Sequence, residues 1–216
     1  MTTVNSCIIL GGGGHACMLI EILTLRKIPI LGILDQNRGL WGQTSQGIPV
    51  LGGDDLLPGL INQAHSFVIG LGGAGNNLPR QRLFEYALSH GFQPLALVHP
   101  TAIVSPWAQI SPGCQLLPGC IVNVGTVLGE NVIVNSGAII EHDCQIQSHV
   151  HIATGARLAS TVWVGAGAHI GAGATVRQCI KIGASALVAA GAVVVKNVPE
   201  GTTVAGIPAK PFGSQR

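Results

Sequence analysis

The sequence predicts two folds in series: an α/β, Rossmann-like βαβ domain, then an all-β parallel β-helix of hexapeptide repeats. Two patterns predict it: a glycine-rich turn between a short apolar segment and an amphipathic one near the start, and an aliphatic residue at every sixth position of the second half. A third observation bounds the reading, since no apolar run approaches the roughly 18–20 residues that a membrane-spanning helix needs.

In chain order, "SCIIL" reads as a buried strand, "GGGGHA" as a tight turn, and Ala16, Leu19, Ile20 and Leu23 mark one face of a helix. "IPILGILD" is a second strand ending at Asp35. Gly11, Gly13 and Ala16 satisfy G-x-G-x-x-A, with an acid 19 residues beyond Ala16. Backbone N–H groups of such a turn, at a helix N-terminus, suit a diphosphate, and Asp35 is placed to bond a ribose or a base edge. Taken alone the motif leaves NAD open. Further on, "FVIGLG" predicts a strand and "PRQRLFEYALSHGF" a helix stopped near Gly91. The boundary is expected near "LVHPTAIV", dividing the chain into 1–98 and 99–216.

From Val104 to Val194, steps of six meet sixteen aliphatic residues without one insertion. The positions two before them hold Ala, Cys, Thr, Val or Ile, as at Ala102, Cys114, Cys120, Cys144, Ala168 and Ala192. Neither the helical period of 3.6 nor the strand period of 2 produces this register. Short strands joined at glycine-rich corners do, stacking coil on coil at about 4.8 Å. Three hexapeptides per coil make a triangular prism in which residues 18 apart lie above one another. His142, two after the inward Ile140, then falls at or near a corner, with Ser160 one coil above it. His151 and His169 are also 18 apart; they are expected to stack outward as surface histidines, with no third ligand to make a metal pair.

Composition narrows the function. Only 9% of the 216 residues are charged, so much surface is expected to be hidden in an oligomer. A formal charge of +2, with scattered Lys and Arg, lacks the basic stripe of a nucleic-acid binder. "MTTVNSCIIL" has no basic leader, and a cytoplasmic protein without membrane insertion is expected. The six cysteines form no paired C-x-x-C and are expected to be free, buried, small apolar residues, with no metal site.

"GGGGHA", "LVHPTAIVSPWAQI", "NSGAIIEHDC", "SHVHIATGA" and "GAVVVKNVPEGTTVAGIPAK", in this order, cover nearly the whole chain. In these segments the sequence resembles the hexapeptide-repeat sugar acetyltransferases related to sialic acid O-acetyltransferase and to the bacillosamine-pathway and perosamine N-acetyltransferases. The resemblance implies a left-handed β-helix, a homotrimer, and acetyl-CoA in the cleft between neighbouring prisms. It implies His142 as general base and Asp143 as its hydrogen-bonding partner. Imidazole titrates near neutrality, and a carboxylate beside it favours the protonated ring and fixes its tautomer. By the same resemblance Ser160 offers a backbone N–H to the thioester carbonyl, although Ser replaces the expected Gly, and His149, Ala172 and Ala190 contact the acetyl-CoA. Lys196 and Lys210 are further candidates for CoA phosphates. Gly13, Gly14, His15 and Gly72 match the loops holding the nucleotide of a nucleotide-linked sugar, with Gly73, Ala74 and Gly75 lengthening the second loop.

The activity so implied is acetyl transfer from acetyl-CoA to the amine, at C4, of a nucleotide-linked amino sugar. O-acetylation of sialic acid or a related nonulosonic acid uses the same base and stays open. So does a nucleotide-binding scaffold in which the prism is only a trimerisation unit.

Overall fold

The computed structural model describes residues 6–73 and 75–212. The N-terminal five residues, which contribute to the expectation of no leader, lie outside these. Two compact units result: 1–72 with 79–100, and 73–78 with 101–216.

The first unit is a sheet flanked by helices. Strand β1 (Cys7–Leu10) leads into helix α1 (Gly14–Leu25), then come β2 (Ile30–Leu34), β3 (Thr44–Ser45), β4 (Ile48–Gly52), β5 (Ser66–Ile69), α2 (Leu78–Ser89), β6 (Gln93–Pro94) and β7 (Leu97–Val98). Six strands form the sheet, in the order β3-β4-β2-β1-β5-β6. All its pairings are parallel except the β3–β4 hairpin, whose turn residues Gln46 and Gly47 have positive φ. β1 is fully buried, as a central parallel strand requires. The strand order reverses beside β1, with β2 on one side and β5 on the other, so the crevice at their C-terminal ends is a switch point. Ile8, Leu10, Phe67, Ile69, Phe84 and Phe92 form the core of this unit, and α1 buries Ala16, Leu19, Ile20, Ile22 and Leu23 against the sheet.

The second unit is a parallel β-helix. Two-residue strands recur every six residues from Ile103–Val104 to Val193–Val194 and stack 18 residues apart into three ladders. One runs through Ile121–Val122, Ile139–Ile140 and Arg157–Leu158, another through Val127–Leu128, Gln145–Ile146 and Trp163–Val164, and the third through Ile133–Val134, His151–Ile152 and His169–Ile170. Every sixth residue from Leu116 to Val194 is at most 1% exposed, while Val104 and Ile110 in the first coil are half-buried. The smaller inward positions two before them fill the corners of the same core: Cys114, Thr126 and Cys144 are buried and donate to the carbonyls of Gly129, Glu141 and Ala159. An inward hydroxyl or thiol is thus satisfied without a second side chain.

Candidate active site

Each coil turns its corners through one residue of positive φ, and these residues stack into three columns. One is all glycine: Gly119, Gly137, Gly155, Gly173 and Gly191. The second runs Gly113, Asn131, His149, Gly167 and Ser185, and the third Gly125, Asp143, Thr161 and Cys179. The last two therefore place polar or reactive side chains in a left-handed conformation that usually falls to glycine and that Asn, Asp and His tolerate best. Asp143 and His149 are themselves corner residues.

The third column carries the His–Asp pair. His142 Nδ1 lies 2.8 Å from Asp143 Oδ2, with side chains 50% and 61% exposed. With Nδ1–H donated to the carboxylate, Nε2 keeps the lone pair, free to take a proton. The Asp143 carboxylate is seated by its lower neighbour: a Cβ on Gly125 would clash with Asp143 Oδ1. One coil above, the backbone N–H of Thr161 donates to His142 O over 3.0 Å, which puts Ser160 directly over His142. Ser160 N–H has no acceptor among the described residues.

The other expected contacts stand elsewhere on the prism. His149 is on the second column, half-buried, with Nδ1 accepting from Asn131 Nδ2 over 3.0 Å. Ala172 and Ala190, both exposed, adjoin the all-glycine column, where Gly191 N–H donates to Ala172 O over 2.8 Å. Lys196 and Lys210 are exposed. One chain thus distributes His142, Asp143 and Ser160, then His149, then the two alanines over three corners, separated by a six-residue edge of roughly 15–20 Å. Sequence reasoning passed over Asn131 and Gly125; their signal was available in the 18-residue columns, where Gly alternates with Asn, Asp and His.

Two expectations are corrected. His151 and His169 are not surface histidines: they are 5% and 7% exposed, with rings edge-to-face at a centroid separation of 4.8 Å. Within the same unit, Asn77 donates to the carbonyls of Gly167 and Ala168 beside them, and Gly73 stands against Asn77 and His151. Asn135 Nδ2 donates to His151 Nε2. Burial pushes the His169 pKa down. Nor are all six cysteines buried: Cys179 is exposed at its corner, 3.1 Å from Thr161 Oγ1, and Cys17 is intermediate. Burial raises the thiols of Cys7 and Cys120 to about 12 and that of Cys144 to about 11. Among the described residues no group of three or more His, Cys, Asp or Glu is arranged to hold a metal ion, and no helix is long and apolar enough to cross a membrane.

In the first unit, a cavity of about 560 Å³ opens at the switch point, lined by Gly11, Asp35, Gln36, Asp54, Arg82 and Tyr86 among others. Gly13 caps α1 and Gly14 begins it; both are exposed, and a Cβ on either would meet nothing within 4 Å. Open space in front of a helix N-terminus suits an anion. Asp35 buttresses this turn: Oδ2 accepts from Gly12 N–H at 2.6 Å and Oδ1 from Asn37 N–H at 2.7 Å. Gly72 is exposed beside His15, close enough for a Cβ to touch that ring. Asp54, which accepts from Gln36 Nε2, has its pKa raised, chiefly by burial. Buried Arg80 donates from one guanidinium nitrogen to the carbonyls of Ile69 and Leu71, holding the end of β5 at the cavity edge.

A Rossmann-like unit with a cavity at its switch point, followed by a hexapeptide β-helix with a His–Asp pair at a corner, defines an acyltransferase architecture. The family model of the PglD N-terminal domain matches residues 6–87, and that of the bacterial transferase hexapeptide (six repeats) matches 125–160. No curated protein sequence matches the chain. Among solved structures, the chain is similar to perosamine N-acetyltransferase from Caulobacter crescentus, solved as a mutant in complex with CoA and GDP-perosamine (34% identity, 97% of each chain covered, TM-score 0.92). It is similar as well to the acetyltransferase domain of PglB from Neisseria gonorrhoeae in complex with acetyl coenzyme A (36% identity, 96% of this chain and 99% of that one, TM-score 0.90). WeeI from Acinetobacter baumannii is a third relative (26% identity, 96% and 99% covered, TM-score 0.85). The chain belongs to the family of left-handed β-helix sugar N-acetyltransferases with a PglD-type N-terminal domain, and it is an enzyme of the acetyltransferase class.

Proposed function

We propose that the enzyme transfers acetyl from acetyl-CoA to the C4 amine of a nucleotide-linked amino sugar. The observation that carries this is the 2.8 Å contact between His142 Nδ1 and Asp143 Oδ2 at an exposed corner. In this reading Nε2 of His142 takes the proton from the attacking nitrogen as its bond to the thioester carbonyl carbon forms, and CoA leaves as the thiol. Asp143 holds the tautomer and stabilises the imidazolium. Ser160 N–H, stacked above, stabilises the negative charge that develops on the carbonyl oxygen. His149, Ala172 and Ala190 line the path of the CoA arm, where small side chains leave the backbone accessible.

Gly13, Gly14, His15 and Gly72 hold the nucleotide's diphosphate side, with Asp35 shaping the turn. Because one chain spreads its CoA contacts over three corners, the reading includes a homotrimer in which corners of neighbouring prisms form each cleft. Relatives solved with GDP-perosamine and with acetyl coenzyme A support both substrates.

The test is thiol release from acetyl-CoA against UDP-, GDP- and dTDP-linked 4-amino sugars and nonulosonic acids, with His142→Ala as control. Release with one amino sugar, abolished in the variant, is expected. Turnover with a nonulosonic acid only, or normal turnover in His142→Ala, overturns the reading.

A further inference from the structure

We infer that Gly125 is a positioning residue for acetyl transfer: its missing side chain is the seat of the Asp143 carboxylate. The third corner column shows why glycine stands there. Gly125, Asp143, Thr161 and Cys179 have φ of 72, 59, 57 and 59°, so three of the four are not glycine and the left-handed turn does not itself demand one. What differs at 125 is the space above it. A Cβ on Gly125 would clash with Asp143 Oδ1 and come within 3.3 Å of Asp143 Cγ. At Gly119, Gly137, Gly155, Gly173 and Gly191, all of positive φ, a Cβ would meet nothing within 4 Å.

The carboxylate is thus held from two sides. Oδ1 rests on the bare Cα of Gly125, and Oδ2 reaches His142 Nδ1. Neither residue has another side-chain partner among the described residues, and both are exposed, so little else restrains the pair. A methyl at 125 forces the carboxylate to swing away, and the imidazole loses the acceptor that fixes its tautomer. The inference rests on the reading of His142 and Asp143 as base and partner.

Gly125→Ala, Asp143→Ala, the double variant, and Gly119→Ala as a left-handed corner with open space separate these ideas. Gly125→Ala is expected to lower kcat by about 100-fold, the scale of a misplaced catalytic group, with both KM values within about twofold. Gly119→Ala stays near the parent, and the double variant is no slower than Asp143→Ala, because both changes disable one contact. Normal kcat in Gly125→Ala, an equal loss in Gly119→Ala, or losses that multiply in the double variant each overturn the role of Gly125. Full turnover in Asp143→Ala instead overturns the base–partner reading beneath it. Should Gly125→Ala fail to fold, Gly125→Asn, a residue at ease in the left-handed region, puts the same question.

Discussion

Asn131 and His149 stand one coil apart in the same corner column, and the Asn131 amide donates to His149 Nδ1 over 3.0 Å. An amide nitrogen only donates, so Nδ1 is the acceptor and the neutral ring carries its proton on Nε2. In the proposed reading, that Nε2–H is the donor His149 contributes to a carbonyl or phosphate oxygen of CoA. Asn131→Ala is expected to raise KM for acetyl-CoA about fivefold, the worth of one neutral hydrogen bond, and to leave kcat unchanged. Initial rates at saturating sugar measure this; a fall in kcat alone would count against a binding role for His149.

The His142–Asp143 contact predicts a graded loss. His142→Ala should cost about 10²–10⁴-fold in kcat, the range for removing a general base. Asp143→Asn keeps the shape but offers an amide where a carboxylate stood, so a loss of tenfold or more is expected. An unchanged rate in Asp143→Asn would leave His142 acting alone.

Much of this was legible in the sequence, for a physical reason. A prism of fixed coil length requires an inward aliphatic residue at every sixth position, so Ile140, Ile152 and Ile170 were visible as core without any partner being known. The G-x-G-x-x-A turn was equally local. The burial of His151 and His169 was not: they stand on an outer face, and the neighbours beside them include Gly73 and Asn77, distant in sequence and without period. Asp143 and His149 as left-handed corner residues were hidden for another reason. Glycine usually marks such positions, and attention to its occurrence passes over the places where another residue has taken its conformation.

Burial of His169 gives stability a pH dependence with a definite sign. Its folded pKa is depressed, so the unfolded chain binds the proton more readily. Its contribution is complete above the unfolded value of about 6.5 and is lost as pH falls through the lower folded value. The Tm difference between neutral and mildly acid buffer is expected to shrink in His169→Phe. An unchanged difference would place the acid sensitivity at another group.

Thiol accessibility divides the cysteines. Cys179 should react with an aromatic disulfide reagent first and Cys17 more slowly, whereas Cys7, Cys114, Cys120 and Cys144 are buried and should wait for unfolding. For Cys7, Cys120 and Cys144 the raised pKa also suppresses the thiolate. Rapid loss of more than two thiols in the native protein would contradict this burial.

Core truncation tests the prism. Ile152 is fully buried between Val134 and Ile170, and Ile152→Ala is expected to cost about 2–5 kcal/mol and to lower Tm by about 5–15 °C. Calorimetry of both proteins at one concentration checks it.

The strand Ile139–Ile140, which ends two residues before His142, has ladder neighbours on both sides, Ile121–Val122 beneath and Arg157–Leu158 above. In a stack where each coil bonds only to the next, opening begins at the free ends and must travel inward. The proposed base and its partner therefore occupy the part of the rod that frays last, and amide hydrogens around residues 139–146 should outlast those of the terminal coils in exchange with heavy water.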